Sequence, residues 1–175
     1  MTISVGDAIP AVDVKTLGPG GILEWLTTGE VLGRGRVVLF AVPGAFTPAC
    51  SNMHLPDYVN NANRLVAMGV DRIVCVAVND PWVMNEWGKS QGVGDKILML
   101  PDGNGDFTRA MGLELNARAF GLGTRSQRYA AVIEDGVVTQ LDIEPAPGVS
   151  VSACEAVLTK LESPHERPTA ERGAH

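Results

Sequence analysis

Two unbroken apolar runs dominate the pattern of this chain, Val37 to Val42 (VVLFAV) and Asp71 to Val78 (DRIVCVAV). Neither alternates with polar residues, so each reads as a strand buried on both faces, the second a parallel neighbour of the first. Ile97 to Leu100 makes a short third strand. Between the first two strands, Leu55, Tyr58, Val59, Ala62, Leu65 and Val66 fall on one face at helical spacing. They predict a helix from Pro48 to Met68, ended by Gly69 and kinked at Pro56, which cannot donate to the carbonyl of Asn52. Asp80 as N-cap and Pro81 in the first turn open another helix, to about Gln91, which Gly92 to Gly94 ends. Phe107 to Met111 is a short helix stopped by Gly112. Arg128 to Glu134 and Val137 to Ile143 flank Asp135-Gly136, the signature of a hairpin, so an antiparallel pair is appended to a parallel centre. Ser152 is the expected cap of a last helix to Leu161.

Elsewhere the pattern is weak. Residues 1–36 read as an entry region with short extended pieces at Ile3 to Val5 and Ala11 to Val14, and a flexible turn at Gly18-Pro19-Gly20-Gly21. Glu24 to Leu32 takes no assignment, and Leu113 to Thr124 reads as a mobile, Gly-containing loop. Residues 1–162 are expected to form one domain, and 163–175 a polar, proline-bearing tail without fixed structure.

Bulk composition narrows the function. The chain has 175 residues, 45% of them apolar and 19% charged, which suits one soluble domain with a real core. A net charge of −6 and no Lys/Arg cluster argue against nucleic-acid binding. No apolar run approaches membrane-spanning length. Met1-Thr2-Ile3 lacks the basic and apolar regions of a signal peptide, so a cytoplasmic protein is expected. Three cysteines are too few for a disulfide scaffold and are expected to be thiols.

Chemistry concentrates after the first strand. Pro43 and Gly44 break it, and Thr47-Pro48 look like a helix start, with Thr47 as N-cap. Cys50 then lies in the first turn, where unpaired backbone N–H groups and the helix dipole favour an anion. Such a cysteine is either a small apolar residue on a buried face or a nucleophile; local logic divides about evenly. His54 follows one turn later on the same face, as a local hydrogen-bonding group or a wall of a site. Cys75, in mid-strand, reads first as a core thiol. Cys154 lies in the first turn of the last helix, an electrostatic setting like that of Cys50. Trp82 and Trp87 suit core packing or a subunit contact. Asp102, Asn104 and Asp106 imitate the start of a calcium loop, but Phe107 stands where the loop requires glycine, and the metal reading is rejected.

The run PGAFTPACS, continuing SNMHLP, resembles the active-site segment of peroxiredoxins, whose motif is PxxxT(S)xxC, and in particular the atypical type II, peroxiredoxin-5-like branch. CVAVNDPWVMNEW, LPDGNGDFTRAMG and RSQRYAAVIEDGVV resemble further blocks of that branch, so the likeness covers about Ile3 to Leu161. It implies a thioredoxin-like α/β fold, a central mixed β-sheet flanked by α-helices, and a homodimer. It also implies a thiol peroxidase that reduces hydrogen peroxide and organic hydroperoxides through a sulfenic acid at Cys50, with no metal or other cofactor. Thr47 and the Cys50 amide would hold the peroxide, Pro43 would shield the pocket, and Gly44, Phe46 and His54 would line or support it. Arg128, just before an aromatic residue, would point at the sulfur, with Arg125 its near competitor. Cys154 or Cys75 would be the resolving thiol if there is one. The reductant would be thioredoxin, or glutathione with glutaredoxin. The other function class on this fold is a peroxide-sensing redox switch or chaperone. A thiol–disulfide oxidoreductase is disfavoured by the lack of any C-x-x-C.

Overall fold

The computed structural model describes residues 1–162; the expected tail, 163–175, lies outside the described residues. Strands β1 (Asp13–Leu17) and β2 (Leu23–Thr27) form an antiparallel hairpin around the Gly18–Gly21 turn and lead into a short helix, α1 (Thr28–Leu32). The Gly18–Gly21 turn was expected, whereas β2 and α1 occupy Glu24 to Leu32, which takes no assignment from the hydrophobic pattern. Leu23, Glu24 and Trp25 are exposed, so no buried alternation marks β2 in the sequence. Ile3 to Val5 is not a strand; the Ile3 amide instead donates to the carbonyl of Met111.

The chain then enters the centre of the molecule through β3 (Arg36–Ala41). The segment Cys50–His54 is a single π-helical turn, followed by α2 (Leu55–Ala67), β4 (Arg72–Ala77), α3 (Pro81–Ser90), β5 (Leu98–Pro101) and α4 (Asp106–Met111). Strand β6 (Glu114–Asn116), inside the segment expected to be a mobile loop, pairs antiparallel with β7 (Thr124–Ser126) at its end. They are too short to show a period. The β8 (Tyr129–Glu134) and β9 (Val137–Ile143) hairpin follows, with positive φ at Asp135 and Gly136 in its turn, and α5 (Cys154–Glu162) closes the described chain.

The main sheet has the order β5-β4-β3-β8-β9, with β3, β4 and β5 parallel and β8 and β9 antiparallel to their neighbours. It is the mixed sheet that the pattern predicted. Burial on both faces explains the unbroken apolar run of β3. Val38 and Phe40 face α2, α3 and α5, whereas Val37, Leu39 and Ala41 face α1 and α4.

Two helix starts depart from expectation. The helix after β3 is not an α-helix kinked at Pro56. Residues 48–67 are helical throughout, but the Leu55 amide bonds the Cys50 carbonyl in a π turn, and Pro56 follows that turn directly. At α5, the Ser152 hydroxyl bonds Glu144 and caps nothing; Asp57 of α2 caps that helix by accepting from the Cys154 amide at 2.7 Å. The expected cap at α3 is present, Asp80 Oδ1 accepting from the Val83 amide at 2.9 Å. Each oxygen of the Asp102 carboxylate accepts from one amide of α4, Phe107 and Thr108, so it serves that helix.

Because Leu39 is fully buried, Leu39→Ala is expected to lower unfolding free energy by about 2–5 kcal/mol in chemical denaturation. Val66→Ala, on the exposed face of α2, should stay within about 0.5 kcal/mol of wild type.

Candidate active site

Beyond β3 the chain makes a tight turn. The Thr47 amide and hydroxyl both donate to the Gly44 carbonyl, at 3.4 and 2.6 Å, and Phe46 takes a positive φ of 64° as the turn requires. The Ala45 amide is held from beyond β4 by Asn79 Oδ1 at 2.9 Å. Gly44 has little room for a side chain, since a Cβ there would meet Thr47 Cγ2 at 3.2 Å. Thr47 stands at the helix start as expected, yet its hydroxyl does not cap. The first backbone bond of the helix is Ser51 N–H to Thr47 C=O at 2.9 Å, so Cys50 lies in the first turn. Cys50 and His54 are buried, Pro43 is half-buried, and Phe46 is exposed.

Arg128, immediately before β8, reaches this turn. Its Nη2 donates to Cys50 Sγ at 3.2 Å and its Nη1 donates to His54 Nδ1 at 2.8 Å. The competitor Arg125 is spent on carbonyls, Nη1 on Val78 and Nε on Leu122, both at 2.9 Å.

The partners of His54 fix its protonation. Arginine can only donate, so Nδ1 must offer a lone pair; Ser152 C=O can only accept, so Nε2, at 3.0 Å from it, must carry the proton. The imidazole is therefore neutral. Its pKa falls from 6.5 to about 4, chiefly because burial disfavours the cation; the bond to Ser152 pulls the other way, and the nearby Arg128 adds a smaller push down. Tyr58 stacks on Phe40 at 3.8 Å between ring centres and donates to the same Ser152 carbonyl at 2.8 Å.

The other two thiols share the core layer of Cys50 but not its setting. Burial in β4 pushes Cys75 well up. Cys154 does not have the electrostatics expected of it. Burial, with the carboxylates of Asp57 and Glu155 beside it, pushes the thiol up to about 12. Trp82 is exposed, whereas Trp87 is enclosed in this chain's own core and donates from Nε1 to Ser51 Oγ, next to Cys50, at 2.9 Å. Ser51, Trp87, Asn79 and Glu144 were not foreseen around the site. Ser51 meets Trp87 and Asn79 meets Ala45 across more than thirty residues, while Glu144 bonds Ser150 and Ser152 within an irregular loop, and no local pattern marks any of them. Among the described residues, no His, Cys, Asp and Glu group is arranged to hold a metal ion, and no helix is long and apolar enough to cross a membrane.

A mixed α/β sheet of thioredoxin-like type, with a buried cysteine at a helix start under a guanidinium, places the protein among thiol-dependent peroxidases. The redoxin family model matches residues 4–158. The chain is 46% identical to peroxiredoxin-2E-2, chloroplastic, of Oryza sativa subsp. japonica over 91% of its own length and 73% of the relative's. It is 42% identical to peroxiredoxin-2E, chloroplastic, of Arabidopsis thaliana over 91% and 70%. Among solved structures it resembles reduced Prx3 of Vibrio vulnificus in complex with hydrogen peroxide, with 45% identity, a TM-score of 0.87, and 92% of this chain and 100% of that one covered. The chain belongs to the peroxiredoxins, in the type II, peroxiredoxin-5-like branch, and is a thiol-dependent peroxidase. One expectation is overturned. The start of the sequence suggested a cytoplasmic protein, but the two peroxiredoxin-2E relatives named above are chloroplastic by name. A compartment address is read separately from the folded domain, so the domain's residues carry no trace of it.

The buried, neutral His54 has a pH signature. Between its unfolded value of 6.5 and its folded value of about 4, the unfolded chain takes up a proton that the folded one refuses. Its contribution is fully present above that window and lost as pH falls through it, roughly 3 kcal/mol in all. Denaturation midpoints of wild type should fall more steeply across this window than those of His54→Gln; equal slopes would contradict the assignment.

Proposed function

We propose that Cys50 is the thiol that attacks the hydroperoxide and that Arg128 is the group that enables it. The observation that carries this is the 3.2 Å approach of Arg128 Nη2 to Cys50 Sγ at a helix start. A guanidinium donating to sulfur stabilises negative charge there and can support the oxygen that becomes charged as the peroxide bond breaks. The thiolate attacks the terminal oxygen of ROOH. An S–O bond forms, the O–O bond breaks, and RO⁻ leaves and takes a proton as ROH, so that Cys50 becomes a sulfenic acid. Thr47 has committed its proton to Gly44, so its oxygen is left to accept the O–H of the hydroperoxide, which fixes which end faces the sulfur. The first-turn Cys50 amide donates to the peroxide. Pro43 shields the pocket, and Gly44 and Phe46 shape its mouth.

The sulfenic acid is recycled by an external thiol. One thiol displaces water to give a mixed disulfide, and a second reduces it back to the thiolate. The attacking species is a thiolate, and the buried thiols of Cys75 and Cys154 are both pushed up, which favours thioredoxin or glutathione with glutaredoxin over either as resolver. A homodimer, and the plastid location carried in the names of the two plant relatives, complete the reading.

Arg128→Ala is expected to lower kcat/KM for hydrogen peroxide by roughly two to three orders of magnitude, as loss of one oriented donor does elsewhere, with Arg128→Lys recovering part of it. Activity within about twofold of wild type would remove Arg128 from the mechanism.

A further inference from the structure

Glu144, the first residue after β9, does not touch the sulfur, yet its carboxylate holds four donors. The Ser150 amide and hydroxyl bond it at 2.6 and 2.7 Å, and the Ser152 amide and hydroxyl at 2.9 and 2.7 Å. Partial burial alone would raise this carboxyl, but the four bonds outweigh it and hold it at about 2. Glu144 is therefore ionised throughout the working range. Its own amide donates to the Arg128 carbonyl at 2.9 Å, so one residue grips both the backbone of Arg128 and the loop before α5.

The consequence lies at Ser152. Clamped by its amide and hydroxyl, this residue turns its carbonyl inward, where it accepts from both His54 Nε2 and Tyr58 Oη. That carbonyl holds the imidazole proton on Nε2 and leaves Nδ1 as the acceptor for Arg128 Nη1. Without it, only the Arg128 donor would favour the Nε2–H tautomer, and a ring protonated on Nδ1 would turn that donor away. We propose that Glu144 is a positioning residue for Arg128, acting through the Ser152 carbonyl and the tautomer of His54. The inference rests on the reading of Arg128 given above.

The test compares reduced wild type with Glu144→Ala, Glu144→Gln and Arg128→Ala. Two readouts are taken, the nitrogen-15 shifts of the His54 ring and kcat/KM for hydrogen peroxide. In wild type the shifts should report a neutral ring protonated on Nε2. In Glu144→Ala they should move toward a mixture of tautomers while kcat/KM falls roughly tenfold, as small misplacements of a positioned group do. Glu144→Gln should restore both to near wild type. Its amide oxygen can replace Oε1, and its NH₂ can donate to the Ser150 hydroxyl. A role confined to holding the loop would lower stability and leave both readouts unchanged, which would overturn the inference. If Glu144→Ala does not fold, the milder Ser150→Ala/Ser152→Ala double variant should move both readouts in the same direction, and no change in either would overturn it. The outcomes separate the two claims. Full activity in Arg128→Ala defeats the reading of Arg128, whereas collapse there with an unaltered Glu144→Ala defeats only the role of Glu144.

Discussion

The pairing of β3 with β8 is the constraint on which the site depends. It is antiparallel and opposes Ala41 to Tyr129, so the exit of one strand lies beside the entrance of the other. Whatever leaves β3 and whatever enters β8 must meet at that end of the sheet. The helix start with Cys50 is what leaves, and Arg128 is what enters. The parallel strand β4 ends there as well and supplies Asn79 and the Val78 carbonyl, which hold the Gly44–Thr47 turn and Arg125. A slip of one residue would turn Phe40 away from Tyr58 and His54 and carry Arg128 out of reach of the sulfur.

Within that frame, polar groups are buried only where they are satisfied. Among the described residues no buried side-chain nitrogen or oxygen lacks a partner. His54, fully buried, shows why that matters. Its two nitrogens are matched to one donor and one acceptor, so a neutral ring costs little there and a charged one much. The three cysteines make the same point in reverse. All sit in one apolar layer, but only the sulfur of Cys50 receives a guanidinium N–H, while Cys75 and Cys154 are left to the effect of burial. One core thus holds one thiol that meets a guanidinium and two that do not.

Much of the fold was legible because its central strands are buried on both faces and announce themselves as unbroken apolar runs. The helices with side-chain caps or glycine stops, α3 and α4, were equally plain. What failed to show was either too short or too exposed to carry a period, as with β2, β6 and β7, or was decided by tertiary contact. The π turn at Cys50–His54 depends on the Leu55 amide reaching Cys50, and the cap of α5 comes from a different helix. At the site, the placement of Cys50 could be read from a strand, a Pro-Gly break and a helix start. The choice of Arg128 over Arg125 needed the resemblance, because a shift of three residues is invisible to local pattern. Trp87 and the Ser152 carbonyl act through long-range bonds, and Glu144 through bonds within an irregular loop, neither of which sequence alone reveals.

The most direct test of the central claim is the intact mass of the protein under non-reducing conditions after one equivalent of hydrogen peroxide. Wild type, Cys75→Ser and Cys154→Ser should each gain one oxygen, with fragmentation placing it on Cys50, and Cys50→Ser should gain none. An undiminished reaction in Cys50→Ser would contradict the assignment of the reacting thiol. Loss of two hydrogens by wild type, abolished in Cys75→Ser or Cys154→Ser, would contradict the external resolution of its sulfenic acid.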